Sequence, residues 1–136
     1  MKELITPYLY FDGNAKEALE FYKELFDGEI IGIQTFGEAD YPTPPEAKDR
    51  VMHAQLIKGK ISLMFSDCFP GQTVEAGNNL SLTLEFESED EIKKYYDTLV
   101  KNGTALMELQ DTFWGAKYAR VKDVFGITWD LNYQKS

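Results

Sequence analysis

The strongest constraint on this chain is a pattern that occurs twice. Asn14 stands seven residues before the aromatic pair Phe21-Tyr22, and Ser88 stands seven residues before Tyr95-Tyr96. Leu25 and Leu99 follow three positions after each pair, and each run closes on a glycine, Gly28 or Gly103. Ala18, Leu19, Phe21, Tyr22, Leu25 and Phe26 recur at helical spacing in the first run; Ile92, Tyr95, Tyr96, Leu99 and Val100 do so in the second. Asn14-Ala15-Lys16-Glu17 has the form of an N-cap with a carboxylate three residues on, and Ser88-Glu89-Asp90-Glu91 that of a capping box. The glycines are the expected helix stops.

Around each helix the same series of strands is predicted. Residues 4–11 read as a first strand, stopped by Asp12-Gly13, and 29–36 as a second. Residues 50–57 and 61–66 form two more, joined through Lys58-Gly59-Lys60 as a short hairpin. The stretches 37–48, with three prolines, and 67–77 are loops. The second half offers strands at 79–86, 104–109, 116–122 and 127–134, with Phe125-Gly126 in the last turn. Each half therefore reads β-α-β-β-β, in modules at about 4–66 and 79–134. This is a duplicated unit of about 60 residues, too small to make a good core alone. The expectation is an α+β fold built as one domain over 1–136.

Size and charge narrow the partners. A chain of 136 residues supports one core without staples but not two full-sized independent domains. At 43% hydrophobic and 14% aromatic residues, it has too much apolar side chain to be disordered. With 23 acidic and 14 basic residues the net charge is −9, so phosphate-rich nucleic acid and anionic membrane are repelled, and a cationic or neutral small molecule suits the field better. The single cysteine, Cys68, excludes an intrachain disulfide and a multi-cysteine zinc site. The first residues lack the apolar core of a signal peptide, and no stretch reaches membrane-spanning length, so a cytoplasmic location is expected.

Strand alternation sorts the side chains onto two faces. Leu80, Leu82, Leu84 and Phe86 face a helix, leaving Asn79, Ser81, Thr83 and Glu85 opposite. In the last strand Ile127, Trp129, Leu131 and Tyr133 oppose Thr128, Asp130, Asn132 and Gln134. Met52, Ala54 and Leu56 oppose His53 and Gln55. Fewer lysines and glutamates lie on the polar side than bulk solvent would favour, which suits a concave polar cavity.

Several residues there carry alternative readings. His53, the only histidine, is a candidate general base or hydrogen-bonding group, or a histidine bonded across the sheet. Asp130 is a candidate partner for a cationic substrate, or for Arg120 in an ion pair. Phe113-Trp114-Gly115 offers an aromatic wall, or else core packing or a dimer contact. Tyr8, Tyr10 and Tyr118 add phenols. Cys68 has no base near it in sequence and reads as an unactivated thiol. No phosphate-binding glycine loop and no Gly-x-Ser-x-Gly nucleophile turn occurs.

The stretches ITPYLYFDGNAKEALEFYKELFDGEI, VMHAQL, ISLMFSD and DTFWGAKYARVKDVFGITWDLNY together sample nearly the whole chain. In them the chain resembles the vicinal-oxygen-chelate superfamily of glyoxalase I, extradiol dioxygenases and bleomycin-resistance proteins, and most of all its PhnB-like branch. The resemblance implies two paired βαβββ modules forming a cupped mixed sheet around a ligand cavity, and a homodimer. It carries the metal-ligand positions of the superfamily's enzymes onto Pro7, Ser81, Met64 or Phe65, and Asp130. Only Asp130 binds metal well, so neither a metal nor another cofactor is expected. The expected function is small-molecule binding of the glyoxalase/bleomycin-resistance type. The alternative is a lyase, isomerase or transferase using His53 and Asp130, with or without metal assistance. Ser81, Met64, Phe113, Trp114, Tyr118 and Arg120 are the expected ligand contacts, and His53, Ser81, Asp130 and Trp114 are expected to converge on one pocket. The methyltransferase label sometimes attached to the branch finds no glycine-rich S-adenosylmethionine-binding pattern in this chain.

Overall fold

A computed structural model describes residues 1–39 and 42–135. The chain divides into two compact units, Met1–Glu75 and Ala76–Ser136, parted within the loop between the expected modules. The first unit holds β1 (Tyr8–Phe11), α1 (Ala15–Phe26), β2 (Glu29–Thr35), β3 (Val51–Lys58) and β4 (Ile61–Asp67). The second holds β5 (Leu82–Phe86), α2 (Glu89–Val100), β6 (Thr104–Asp111), β7 (Ala116–Lys122) and β8 (Thr128–Gln134). The sheet orders are β1-β4-β3-β2 and β5-β8-β7-β6. In each, the first strand pairs parallel with the last and the other pairs are antiparallel. Both units are thus βαβββ with a four-stranded mixed sheet, the α+β architecture read from the repeat.

One face of each sheet is covered by its helix. Ala15, Ala18, Leu19, Tyr22 and Phe26 of α1 are buried against a sheet whose Phe11, Ala54, Leu56, Leu63 and Phe65 are buried too. The Tyr22 and Phe65 rings are 6.0 Å apart, and Phe11 stacks on Phe65 at 5.8 Å. In the second unit Ile92 and Leu99 of α2 meet the buried side of β7 and β8, where Ala119, Val121, Trp129 and Leu131 lie. Each large apolar side chain so buried contributes about 1.5–3 kcal/mol.

The helix starts differ from expectation. Asn14 makes no side-chain cap for α1. Asp67 replaces it from the end of β4: its Oδ1 accepts from the Gly13 and Ala15 backbone N–H groups at 2.9 and 3.0 Å, and its Oδ2 from Val51 N–H at 2.8 Å. Asp67 thus fixes the backbone on either side of Asn14, at Gly13 and at the first helical residue, Ala15. The α2 box is half as drawn. Ser88 Oγ accepts from Glu91 N–H at 3.1 Å, but the Glu91 carboxylate returns to Glu87 N–H rather than to Ser88.

At the helix exits the left-handed residues are Asp27 and Asn102, one before each predicted glycine. The glycines are needed for close approach instead. A Cβ on Gly103 would lie 2.6 Å from the Leu99 carbonyl oxygen and 2.7 Å from that of Lys122. On Gly28 it would lie 3.1 Å from the Ile57 carbonyl oxygen.

Two strands begin at least three residues later than predicted. Residues 4–7 do not join β1, and Leu4 and Ile5 are exposed. Pro7 has no N–H for a ladder, although its carbonyl accepts from Met64 N–H at 3.0 Å. Likewise 79–81 precede β5. Within the expected loop 37–48, Pro45–Ala47 form one 3-10 turn, and positions 40 and 41 lie outside the described residues. Among the described residues no helix is long and apolar enough to cross a membrane.

Candidate functional site

The sheet face away from each helix carries the polar side chains, as alternation predicts. On the second unit, β7 and β8 pair with Arg120 opposite Asp130, and β5 sets Thr83 on Asp130's other side. Asp130 is 8% exposed although no helix covers it. Its Oδ1 accepts from Tyr118 OH at 2.5 Å and from Arg120 Nε at 2.8 Å. Its Oδ2 accepts from Ser81 Oγ and from Arg120 Nη2, the latter at 3.2 Å. Four donors thus fill the lone-pair sites of one carboxylate.

These bonds set the protonation states. Burial pushes the Asp130 carboxyl up, but the bonds from Arg120, Ser81 and Tyr118, with the Arg120 charge, outweigh it and hold the group below its ordinary value. Arg120 is raised by its bond to Asp130. Tyr118 is raised by burial and by its bond to Asp130, so its hydroxyl remains a donor. Next along the face, Trp114 lies 6.3 Å from the Tyr118 ring, and Phe113 meets Trp114 edge-on at 5.0 Å. Phe113 is fully exposed and Trp114 is 52% exposed. Beyond the cluster, Asn132 Nδ2 donates to Glu85 at 2.9 Å.

His53 and Met64 belong to the first unit, on the open face of its sheet. Tyr8 OH and His53 Nδ1 are 2.8 Å apart, and the Tyr8 ring stacks on Tyr10 at 5.0 Å. Burial and the neighbouring Tyr10 raise Tyr8, with Ser66 pulling the other way, so the phenol is protonated at neutral pH. Met64 is flanked in the ladder by Tyr8 and Gln55. Gln55 in turn donates to Ser62 Oγ at 2.8 Å.

Of the expected site residues, Ser81, Tyr118, Arg120 and Asp130 are joined in one cluster, and Phe113 and Trp114 adjoin it through Tyr118. His53 and Met64 share the face of their own unit with Tyr8. Sequence reasoning weighed Tyr8 only as one phenol among three; a contact spanning 45 residues leaves no local trace. It also passed over Asp123, which is buried and accepts from Phe125 and Ile127 N–H at 2.9 and 3.0 Å and from Trp129 Nε1 at 2.9 Å. Here a local signal existed, since an aspartate two residues before Phe125-Gly126 has the form of an Asx turn.

Cys68 is half-buried beside Asp12 and Arg50, with Arg50 Nη1 donating to Asp12 at 2.8 Å and to the Cys68 carbonyl at 2.9 Å. Burial, then the Asp12 carboxylate, pushes the thiol up, which is the unactivated state expected of it.

The positions that the resemblance assigns to metal ligands do not fit a divalent ion. Asp130 has both oxygens engaged, the Ser81 hydroxyl is bonded to Asp130, and Phe65 is in the core. Pro7 has no ligating side chain, and the Met64 thioether is soft and suits other ions. Among the described residues no three His, Cys, Asp or Glu side chains are grouped to hold a metal.

A family model described as 3-demethylubiquinone-9 3-methyltransferase matches residues 3–132. The crystal structure of protein PA1353 from Pseudomonas aeruginosa is 35% identical, with a TM-score of 0.85 over 96% of both chains. A putative 3-demethylubiquinone-9 3-methyltransferase, PhnB protein, from Bacillus cereus is 29% identical, with a TM-score of 0.82 over 96% of this chain and 99% of that one. A glyoxalase family protein from Bacillus cereus, 13% identical, shares the fold alone, with a TM-score of 0.70 over 100% of this chain and 96% of that one.

Proposed function

The chain belongs to the PhnB-like family of the vicinal-oxygen-chelate superfamily, whose matching model is described as 3-demethylubiquinone-9 3-methyltransferase, and we propose that it is a small-molecule-binding protein without that superfamily's metal site. One observation carries this reading. On a sheet face that no helix covers, a polar cluster is held rigid around a buried carboxylate, beside a half-exposed tryptophan. Fixed polar groups next to an open aromatic surface orient a ligand with little ordering entropy left to lose.

The start of α1 does not offer a site for the methyl-transfer activity in the family's description. A bound group's anionic end, such as a carboxylate, is readily held on free backbone N–H groups at a helix start. In the β1–α1 turn the Gly13 and Ala15 N–H groups are already bonded to Asp67.

An enzyme of the lyase, isomerase or transferase kind is the second reading, and the Tyr8–His53 bond favours it. A hydrogen-bonded imidazole on an open face is oriented for proton transfer. A thermal-shift screen of metabolites and drugs separates the two. Binding is expected to raise the melting temperature and to weaken in Trp114→Ala. Product formation that disappears in His53→Ala while binding survives would instead establish the enzyme, and no compound binding at all would overturn both.

The protein is also read as a homodimer. β2 and β6 are sheet edges with exposed Ile31, Ile33, Leu106 and Met107, and such edges favour being covered. Sedimentation at micromolar concentration tests this; a monomer mass alone would refute it.

A further inference from the structure

We infer that the Asp130 face of the second unit takes an aromatic carboxylate, its oxygens on the outer N–H groups of Arg120 and its ring against Trp114. The inference rests on the ligand-binding reading above and names the chemical class of the ligand.

The argument is one of remaining hydrogen-bonding capacity. Each Asp130 oxygen accepts two bonds, so the carboxylate has no lone pair left for a cation. The Tyr118 and Ser81 hydroxyl protons are both committed to it. Arg120 differs. A guanidinium has five N–H donors, and only Nε and Nη2 bond to Asp130, one N–H from each. The remaining donors, including all of Nη1, belong to a side chain that is 42% exposed while the Asp130 side chain is 11% exposed. The pair therefore turns its negative member inward and its positive member outward. Lys122, two residues further along β7 and half-buried, adds a second cation by alternation on the same face.

A net charge of −9 draws cations to the molecule as a whole, but that field is screened over about 8–10 Å in physiological salt. At contact range the available donors decide, and they require an acceptor. A planar carboxylate meets a guanidinium edge through two parallel bonds, which neither an amine nor an alcohol reproduces.

The aromatic part follows from spacing. Tyr118 and Arg120 lie two residues apart on one strand, about 7 Å along it. Trp114 is 6.3 Å from Tyr118, with Phe113 edge-on to it. A carboxylate on Arg120 thus places an attached one- or two-ring system over Tyr118 and against Trp114, where offset or edge contact is favourable.

Calorimetric titration with 2-naphthoate and with protonated 2-naphthylmethylamine, which share a ring system and differ in charge, tests the class. The carboxylate is expected to bind at least about tenfold more tightly, and to lose about tenfold or more in Arg120→Lys, which keeps the charge but not the fork. Because Arg120→Lys also disturbs Asp130, Trp114→Ala serves as the second variant. It removes an exposed ring, so the melting temperature should hold while carboxylate affinity falls about fivefold to tenfold. If the amine binds as well as the carboxylate and both depend on Trp114, the acceptor class is overturned and the ligand-binding reading stands. If neither probe shows binding that depends on Trp114, the aromatic-carboxylate class is overturned, while the ligand-binding reading falls only if the thermal-shift screen finds no compound that binds.

Discussion

The two units share one backbone plan and differ in how they use carboxylates. In the first, the helix start is fastened by Asp67, which reaches α1 across 54 and 52 residues of chain to Gly13 and Ala15 and also holds β3 at Val51. In the second, the helix start is fastened by its own Ser88, three residues from the N–H it caps. The open faces diverge as well: phenol, imidazole and amide around Tyr8, His53 and Gln55 in one, a saturated ion pair around Asp130 in the other. A duplicated fold can thus keep its strand order while its polar groups are reassigned, because both units retain the same ladders and the same apolar helix–sheet contact. The chemistry of the faces is then free to vary.

The sharpest way to break this comparison is to remove Asp67. Its three bonds go to backbone N–H groups, and the side chain is buried, so Asp67→Ala leaves donors stranded at about 1–3 kcal/mol each. Gly13 is exposed and water can reach it, so the expected loss is about 3–5 kcal/mol rather than the full sum. Urea denaturation measures it. A loss below about 1 kcal/mol would mean that the contact across the chain is dispensable and that the two helices start by equivalent means.

The Asp130 cluster comes next. Asp130→Ala removes the acceptor of four bonds, but Arg120 stays partly in water, so a loss of about 2 kcal/mol at pH 7 is expected. The pH dependence has a defined sign. The folded carboxyl lies below its ordinary value, so the stabilisation is present above the unfolded pKa of 3.8 and is lost as pH falls through the lower folded value. The stability gap between the natural protein and Asp130→Ala should therefore hold from pH 7 to about 5 and narrow below pH 4. A gap that stays constant down to pH 3 would show that the carboxylate's charge is not what the cluster uses.

What could be read from the amino-acid order follows the same local-versus-distant division. Helical spacing exposed α1 and α2, and alternation put Leu82, Trp129 and Ala54 on one side and Ser81, Asp130 and His53 on the other, because periodicity acts between near neighbours. Arg120 and Asp130 could be weighed as a pair because both stood on predicted neighbouring strands. Asp67 and Tyr8 could not, since their partners are brought near only by sheet register. Asn14 misled for the complementary reason: its local pattern is that of a cap, yet the start of α1 is fastened at Gly13 and Ala15 by a carboxylate from β4.

That difference supplies the smallest and most discriminating contrast. Ser88 Oγ accepts from Glu91 N–H at 3.1 Å, whereas Asn14 makes no side-chain bond at the head of α1. By composition alone the two should respond alike, since serine and asparagine rank together as N-caps and their loss costs about 1 kcal/mol. By geometry they should not. Ser88→Ala is expected to destabilise by about 1 kcal/mol, the loss of one cap bond with the Glu87–Glu91 return bond still in place. Asn14→Ala is expected to change stability by less than about 0.5 kcal/mol, because Asn14 has no side-chain cap bond to lose. A double variant, Asn14→Ala with Asp67→Ala, then asks whether the asparagine is a dormant cap. If the two losses add, Asn14 never substitutes for Asp67. If the pair loses more than the sum, Asn14 takes over when the carboxylate is gone, and the two helix starts differ only in which of two available caps is in use.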